Sequence, residues 1–239
     1  MEERPGRGGT GECRWCSPPG SGKRGDGSQC TMCQGTGRRD EPAPADRPVV
    51  NIVGDHVALG PVHRDLEPAY HRWLNDFATL RTMGMVPRPL TAEQTAADIA
   101  QDSGGANNAV FVIYEVASWR AIGVGGWSDI DWRNRTADLV LAIWEPAYRG
   151  RGYGTEATTL LLDHAFTALG LHSAGLRVDE FNLAGIRAYR KAGFRECGRR
   201  RECRWMGGRL WDELAMDCLA SEFVSPVLGR VFVPDEPRA

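Results

Sequence analysis

The run Arg149-Gly150-Arg151-Gly152-Tyr153-Gly154 constrains the fold more than any other stretch of the chain. It follows an apolar alternating segment, Leu139 to Trp144, and opens an amphipathic one, Glu156 to Leu169. Alternation with period two predicts a strand, and apolar residues at period 3.6 predict a helix. A glycine-rich turn from a strand into a helix N-terminus is an anion site, because free backbone N–H groups converge there and the helix dipole adds partial positive charge. Glycine also lets an oxygen approach the main chain without a Cβ in the way. The run therefore predicts a ligand that carries a pyrophosphate.

Three kinds of phosphate loop compete. The dinucleotide fingerprint needs G-x-G-x-x-G, and Gly150, Gly152 and Gly154 lack that spacing. The P-loop needs Lys-Ser/Thr after its last glycine, where this chain has Thr155-Glu156. The third form, Arg/Gln-x-x-Gly-x-Gly/Ala, is met in order by Arg149, Gly152 and Gly154. On the hexapeptide alone, a solubilising surface turn stays open. Downstream, Asn182-Leu183-Ala184-Gly185-Ile186-Arg187-Ala188-Tyr189-Arg190-Lys191-Ala192-Gly193-Phe194 supplies a second signature, N-x-x-A/G-x-x-x-Y-x-K-x-G-F. The two motifs together resemble the GNAT superfamily of N-acetyltransferases. The strand Ala137 to Pro146, the Trp73-Leu74-Asn75-Asp76 and Pro87-Arg88-Pro89-Leu90-Thr91 stretches, and Asp212 to Met216 are similar to its Rim-like branch. The resemblance covers roughly residues 48 to 222.

The resemblance implies an α/β (α+β) fold, with a twisted, mostly antiparallel sheet and helices on both faces. Its central parallel pair splays to admit the pantetheine arm of acetyl-CoA. It implies an acetyl-CoA-dependent N-acetyltransferase that acts by direct attack of a primary amine in a ternary complex. The residues it places around the cofactor are Ile143, Trp144, Arg149, Gly150, Arg151, Gly152, Tyr153, Gly154, Thr155 and Asn182. The N–H of Ile143 or Trp144 is the expected oxyanion donor. Tyr189 matches the tyrosine that protonates the departing thiolate. Asp138 stands where related enzymes often carry Glu and is the expected amine-proton acceptor, with Glu145 and Glu180 as weaker alternatives. Asp76, Asp129 and Asp131 suit a cationic acceptor, which can be a small amine, an antibiotic-like metabolite or a protein N-terminus.

Composition bounds the rest. A net charge of −2 on 239 residues removes a generally basic surface, which argues against nucleic acid as the main partner. No run of 18 apolar residues suggests a membrane span, and the charged, glycine-rich start lacks a signal peptide's apolar core. A cytoplasmic monomer or homodimer is expected. The path through residues 49–222 reads as a strand region at Val49–Val62 and a helix at Asp65–Phe77. A second helix starts at a Thr91 N-cap with Gln94 in the capping-box position. Strands follow at Asn108–Glu115, Ala121–Asp129 and Thr136–Trp144. The cofactor helix runs from Gly152 to Leu169 with Ala157, Leu160, Leu161, Ala165 and Ala168 buried. A strand at Leu176–Val178 and a helix from Asn182 to Gly193 come next. Strands near Glu196–Trp205 and Arg209–Leu219 close the sheet, and residues 223–239 read as a partly extended tail.

Residues 1–40 differ in kind. Gly, Pro, Arg and Ser dominate, and such a segment buries too little apolar surface to offset its ordering entropy. It carries Cys13-x-x-Cys16 and Cys30-x-x-Cys33, with thirteen residues between the pairs. The spacing predicts a tetrahedral four-cysteine zinc site whose metal supplies the folding energy that the small core lacks, with a tail carrying incidental cysteines, or two disulfides, left open as alternatives. The second turn, Cys30-Thr31-Met32-Cys33-Gln34-Gly35-Thr36-Gly37, resembles one repeat of the DnaJ-type zinc-binding region. Residues 41–48, with three prolines, read as a stiff linker. The module offers a docking point for a protein partner. It also leaves room for a rival function, a non-catalytic acyl-CoA-binding adaptor. Elemental analysis is expected to find about one zinc per chain and to find it lost in Cys30→Ser; a metal-free wild type refutes the module.

Overall fold

The computed structural model describes residues 47–235. Its eight strands are β1 (Ile52–Val53), β2 (Val57–Pro61), β3 (Ala109–Glu115), β4 (Ala121–Asp131), β5 (Thr136–Ile143), β6 (Ser173–Asp179), β7 (Arg195–Met206) and β8 (Arg209–Leu219). They form one sheet in the order β1-β2-β3-β4-β5-β6-β8-β7. Every neighbouring pair is antiparallel except β5 and β6. That parallel pair keeps register only at Thr136–Ser173, Ala137–Ala174 and Asp138–Gly175. Beyond Asp138 the two strands have no paired residues, so the sheet opens at its centre.

Helices α1 (Glu67–Leu74), α2 (Phe77–Leu80) and α3 (Ala92–Gly104) precede β3, α4 (Tyr153–Asp163) follows β5, and α5 (Leu183–Ala192) follows β6. The period-two pattern of β5 divides them between two layers. Ala137 and Leu139 pack with Leu160 and Leu161 of α4 and Ile186 of α5. Ala142 and Trp144 pack with Tyr70 and Trp73 of α1, Leu80 of α2 and Ile99 of α3. Residues an odd number apart on a strand point to opposite faces, so α4 and α5 cover one face and α1 to α3 the other. Each fully buried leucine or phenylalanine, such as Leu161 and Phe194, contributes about 1.5–3 kcal/mol.

The helix ends follow local chemistry. Thr91 accepts from the Gln94 amide at 3.3 Å, and the Gln94 side chain accepts from the Thr91 amide at 2.9 Å, the reciprocal capping box expected. Asn182 accepts from the Gly185 amide at 3.0 Å and caps α5, and Gly193 ends that helix. The stretch read as one helix, 65–77, instead breaks at Asn75. Asp76 turns out to be the N-cap of α2, its side chain accepting from the Ala78 amide at 3.1 Å.

Two expectations are corrected at the far end of the cofactor helix. The α-helical winding stops at Asp163 and widens into a π-turn over His164–Ala168, so the apolar stripe shifts. Ala168 is exposed, whereas Leu162 and Asp163 are buried. The described part of the supposed tail is docked against this helix. Leu228 is 5% exposed and joins the main core, with Phe223 and Val227 packed beside it. The anchor is polar. The buried Asp163 carboxylate accepts from Thr167 Oγ1 at 2.8 Å, Ser225 Oγ at 2.5 Å, and the Val227 and Leu228 amides at 2.9 and 2.8 Å. Cys13, Cys16, Cys30 and Cys33 lie outside the described residues. Among the described residues no group of three or more His, Cys, Asp or Glu could hold a metal, and no helix is long and apolar enough to cross a membrane.

Burial alone would raise the Asp163 pKa, but the hydrogen bonds from Ser225, Leu228, Thr167 and Val227 outweigh it and hold the carboxyl below its ordinary value. A depressed carboxyl contributes stability that is complete above its unfolded value, about pH 4, and lost as pH falls through the folded one. Asp163→Asn is therefore expected to cost about 2 kcal/mol at neutral pH. The gap to wild type should narrow in acid, as read from urea midpoints between pH 7 and pH 3.

Candidate active site

The opening between β5 and β6 is shaped by hydrogen-bond alternation. The Trp144 amide donates to the Ile122 carbonyl at 2.9 Å, toward β4. Alternate residues of an antiparallel strand point their N–H and C=O groups to opposite sides. The amides of Leu139, Leu141 and Ile143 therefore face away from β4, into the splay. The two amides of the expected oxyanion pair thus differ in what they face. The Trp144 amide is already spent within the sheet, and its ring is buried in a stack on Trp73 with centroids 6.1 Å apart. Ile143 is the residue whose amide stays available.

A cavity of about 410 Å³ extends from this opening. Leu141, Ala142 and Ile143 line it from β5, Gly150, Gly152, Gly154 and Thr155 from the loop and α4, and Asn182 and Tyr189 from α5. Gly152 sits at φ 90° as the N-cap of α4, a conformation that only glycine adopts without strain. A Cβ at Gly150 or Gly152 would meet nothing within 4 Å, so open space lies directly over the loop. The cavity also gathers Arg81, Arg149, Arg187 and Lys191, with no carboxylate among its lining residues. Four cations in one concavity of a chain with net charge −2 make a local anion trap.

The remaining loop residues have other work. The Arg149 side chain turns back on its own chain, with Nε donating to the Ile143 carbonyl at 2.8 Å and Nη2 to the Trp144 carbonyl at 2.8 Å and Thr79 Oγ1 at 2.6 Å. Arg151 lies over the Tyr148 ring at 5.6 Å and does not line the cavity. Tyr153 points its hydroxyl to Glu115 Oε1 at 2.8 Å, which ties the first turn of α4 to β3.

Tyr189 faces the cavity with its ring edge-on to Phe194 at 6.1 Å, and its hydroxyl makes no hydrogen bond among the described residues. Burial pushes that hydroxyl up to about 12. Asp138 stands apart from it. It pairs with Arg177 at 3.3 Å, is 42% exposed, and does not line the cavity. Glu145 is structural, since its Oε1 accepts from Arg72 at 2.6 Å and from Trp73 Nε1 at 3.1 Å. Glu180 accepts from Arg199 at 3.1 Å. Two acids assigned to the acceptor are engaged by their own turns. Asp76 caps α2, and Asp131 accepts from the Asn134 amide at 2.9 Å and Asn134 Nδ2 at 2.7 Å, so hydrogen bonds hold both carboxyls low.

Comparison with known proteins decides the family. The family described as "Acetyltransferase (GNAT) domain" is matched over residues 56–195. The chain belongs to this GNAT acetyltransferase family. It is thereby an acetyl-CoA-dependent acyltransferase. Among curated proteins, the acetyltransferase is similar to the human alpha/beta-tubulin-N-acetyltransferase 9, with 27% identity over 61% of this chain and 75% of that protein. It is 39% identical to the Escherichia coli spermidine N(1)-acetyltransferase over a shorter stretch, 28% of this chain and 35% of that one. Among solved structures, a spermidine N-acetyltransferase from Vibrio cholerae, in complex with CoA and spermine, superposes with a TM-score of 0.65 at 22% identity, covering 71% of this chain and 98% of that one. At that identity the structural likeness bears on the fold.

Three cavity cations of the acetyltransferase, Arg81, Arg187 and Lys191, are given no role by the sequence reading. Arg187 and Lys191 were legible in principle. Ala184, Arg187, Ala188 and Lys191 all line the cavity at i, i+3, i+4 and i+7, one face of the helix that Asn182 caps. Arg81 carried no such signal, because its place depends on the packing of the four-residue α2. Removing both α5 cations, Arg187→Ala with Lys191→Ala, is expected to weaken CoA binding by roughly 10- to 100-fold, as for lost charge-assisted hydrogen bonds. Calorimetry should also show a shallower salt dependence in the variant.

Proposed function

We propose that the protein transfers the acetyl group of acetyl-CoA to a primary amine by direct attack within a ternary complex. The observation that carries this reading is the cationic cavity, which joins a glycine-bearing helix N-terminus to an opened strand edge. Diphosphate oxygens meet the backbone amides around Gly152 to Thr155 and the charges of Arg81, Arg187 and Lys191. The pantetheine arm runs along the unpaired edge of β5, where amide and carbonyl groups otherwise lack strand partners. Asn182 lies beside that arm at the head of α5. Held this way, the thioester carbonyl sits near the Ile143 amide, a fixed donor for the oxyanion.

The amine nitrogen attacks the acetyl carbonyl carbon and forms the C–N bond. The C–S bond then breaks, and its electron pair stays on sulfur. Tyr189 donates its proton to that sulfur and is reprotonated from solvent, while the amine releases its own proton to Asp138 through water. A hydroxyl with a pKa of about 12 is protonated at every working pH, so the acid is always loaded. The same burial disfavours the free thiolate and raises its affinity for the proton. Asp138 is the weaker assignment of the two, because it is exposed, pairs with Arg177 and does not line the cavity.

The acceptor is a primary amine, either a polyamine, in line with the spermidine acetyltransferase relative, or an amine of a protein such as its N-terminus, in line with the tubulin acetyltransferase relative. A thiol-release assay with spermidine and with peptides bearing free N-termini tests the reading. Release with at least one amine, and acetylated product by mass spectrometry, supports it. CoA binding without release from any of them refutes transfer and leaves a binding protein. Tyr189→Phe is expected to lower turnover by about 10²-fold or more, the usual scale for a general acid, with CoA affinity retained. Unchanged turnover removes Tyr189 from the mechanism.

A further inference from the structure

The guanidinium of Arg149 touches three walls of the site at once and leaves the phosphate region to other groups. Nε holds the Ile143 carbonyl, and Nη2 holds the Trp144 carbonyl and the hydroxyl of Thr79. Thr79 is 4% exposed and donates its own hydrogen to Asp76 Oδ2. Asp76 in turn caps α2 through the Ala78 amide. An unbroken hydrogen-bonded path therefore runs from the last residues of β5, through Arg149, into the start of α2. That helix and the turn after it, residues 78–83, form one wall of the cavity through Ala78, Thr79, Arg81, Thr82 and Met83.

Two features make this path directional. First, an amide and its carbonyl on one strand residue point to the same side. Holding the Ile143 carbonyl on one side and the Trp144 amide on Ile122 limits rotation about Ile143, and so keeps its N–H turned to the splay. Second, Arg81 stands close enough to Arg149 to oppose its charge, and both line a cavity without a carboxylate. An anion bound at Arg81 offsets that repulsion while Arg149 keeps its own acceptors, and draws the 78–83 wall toward the loop.

We propose that Arg149 is a positioning residue, and that through Thr79 and Asp76 it couples the cofactor loop to the α2 wall, so that CoA binding sets both the Ile143 amide and the 78–83 segment. This rests on the acetyl-CoA reading of the cavity. Arg149 acts by bracing these groups, and the phosphates are held by the loop amides and the other cations.

Amide hydrogen exchange on the full chain tests the coupling, with CoA itself as probe at saturating concentration so that changes in affinity do not enter. CoA is expected to slow exchange over residues 77–83 about tenfold in wild type and in Thr79→Ser, and less than twofold in Thr79→Val, which keeps the shape but loses the hydroxyl. Equal slowing in Thr79→Val, or none in wild type, overturns the proposal. The ligand-free protein gives an independent reading. Arg149→Met should speed exchange at both 77–83 and 143–149, whereas Thr79→Val should speed it at 77–83 alone. If Arg149→Met leaves either segment unchanged, the brace does not exist. A chain that shows the ligand-free pattern but binds no CoA keeps the brace and loses the acetyl-CoA reading, so the two failures are distinguishable.

Discussion

The loss of pairing between β5 and β6 after Asp138 and Gly175 is the constraint on which the rest of the site depends. A sheet interior does not tolerate free N–H and C=O groups away from water, because each unmade hydrogen bond costs free energy. Here the unpaired edge lies beside a cavity, and the chain supplies partners at one end only, where Arg149 takes the carbonyls of Ile143 and Trp144. The rest of the edge remains open to a ligand that can act as a substitute strand. The pantetheine arm, with amide donors and acceptors along its length, has that chemistry, which is the logic of adding a strand to an exposed sheet edge. In the proposed reading, the cofactor completes the hydrogen bonding that the fold leaves undone.

Charge is arranged to the same end. The chain is slightly acidic as a whole, yet the cavity collects four cations from three separate elements: α2, the β5–α4 loop and α5. Carboxylates near these elements are turned elsewhere. Asp76 caps α2 and Glu145 binds Arg72 and Trp73. The buried Asp163 holds the C-terminal segment on the far part of the cofactor helix. These acids spend their hydrogen bonds on local donors, and among the described residues none hydrogen-bonds a cavity guanidinium or ammonium group.

Features encoded over a few neighbouring residues were legible in the sequence. The Thr91–Gln94 box, the Asn182 cap, the Gly193 stop and the strand-loop-helix order around Gly152 all require contacts within four positions. The features that were not legible depend on partners far along the chain. The amide of Trp144 looked equivalent to that of Ile143 until Ile122 of β4 was found to occupy it. The docking of residues 225–228 depends on Asp163, more than sixty positions earlier, and a segment rich in Pro, Val and Gly gives no period that announces such an anchor. Ala168 fell off the apolar stripe because the π-turn adds to the residues per turn, and a 3.6-residue wheel cannot anticipate that change.

Arg149 belongs to the loop motif and lines the cavity, yet its side chain is already engaged by its own chain. The spacing Arg149-x-x-Gly152-x-Gly154 finds the right turn, and a cation beside a phosphate loop invites the role of phosphate ligand. Its hydrogen bonds argue for a different one. Desolvation is the largest influence on this guanidinium and disfavours its charge, which Asp76 and Glu145 help to retain. A guanidinium is best held when its donors are matched to fixed acceptors, and the Ile143, Trp144 and Thr79 oxygens provide them before any ligand arrives. Moving it onto a diphosphate would break all three contacts and free the end of β5, whose Ile143 amide must stay in place during acetyl transfer. The exposed loop amides and the cations of α2 and α5 can bind the anion without that cost, so the division of labour follows from which groups the fold has already used.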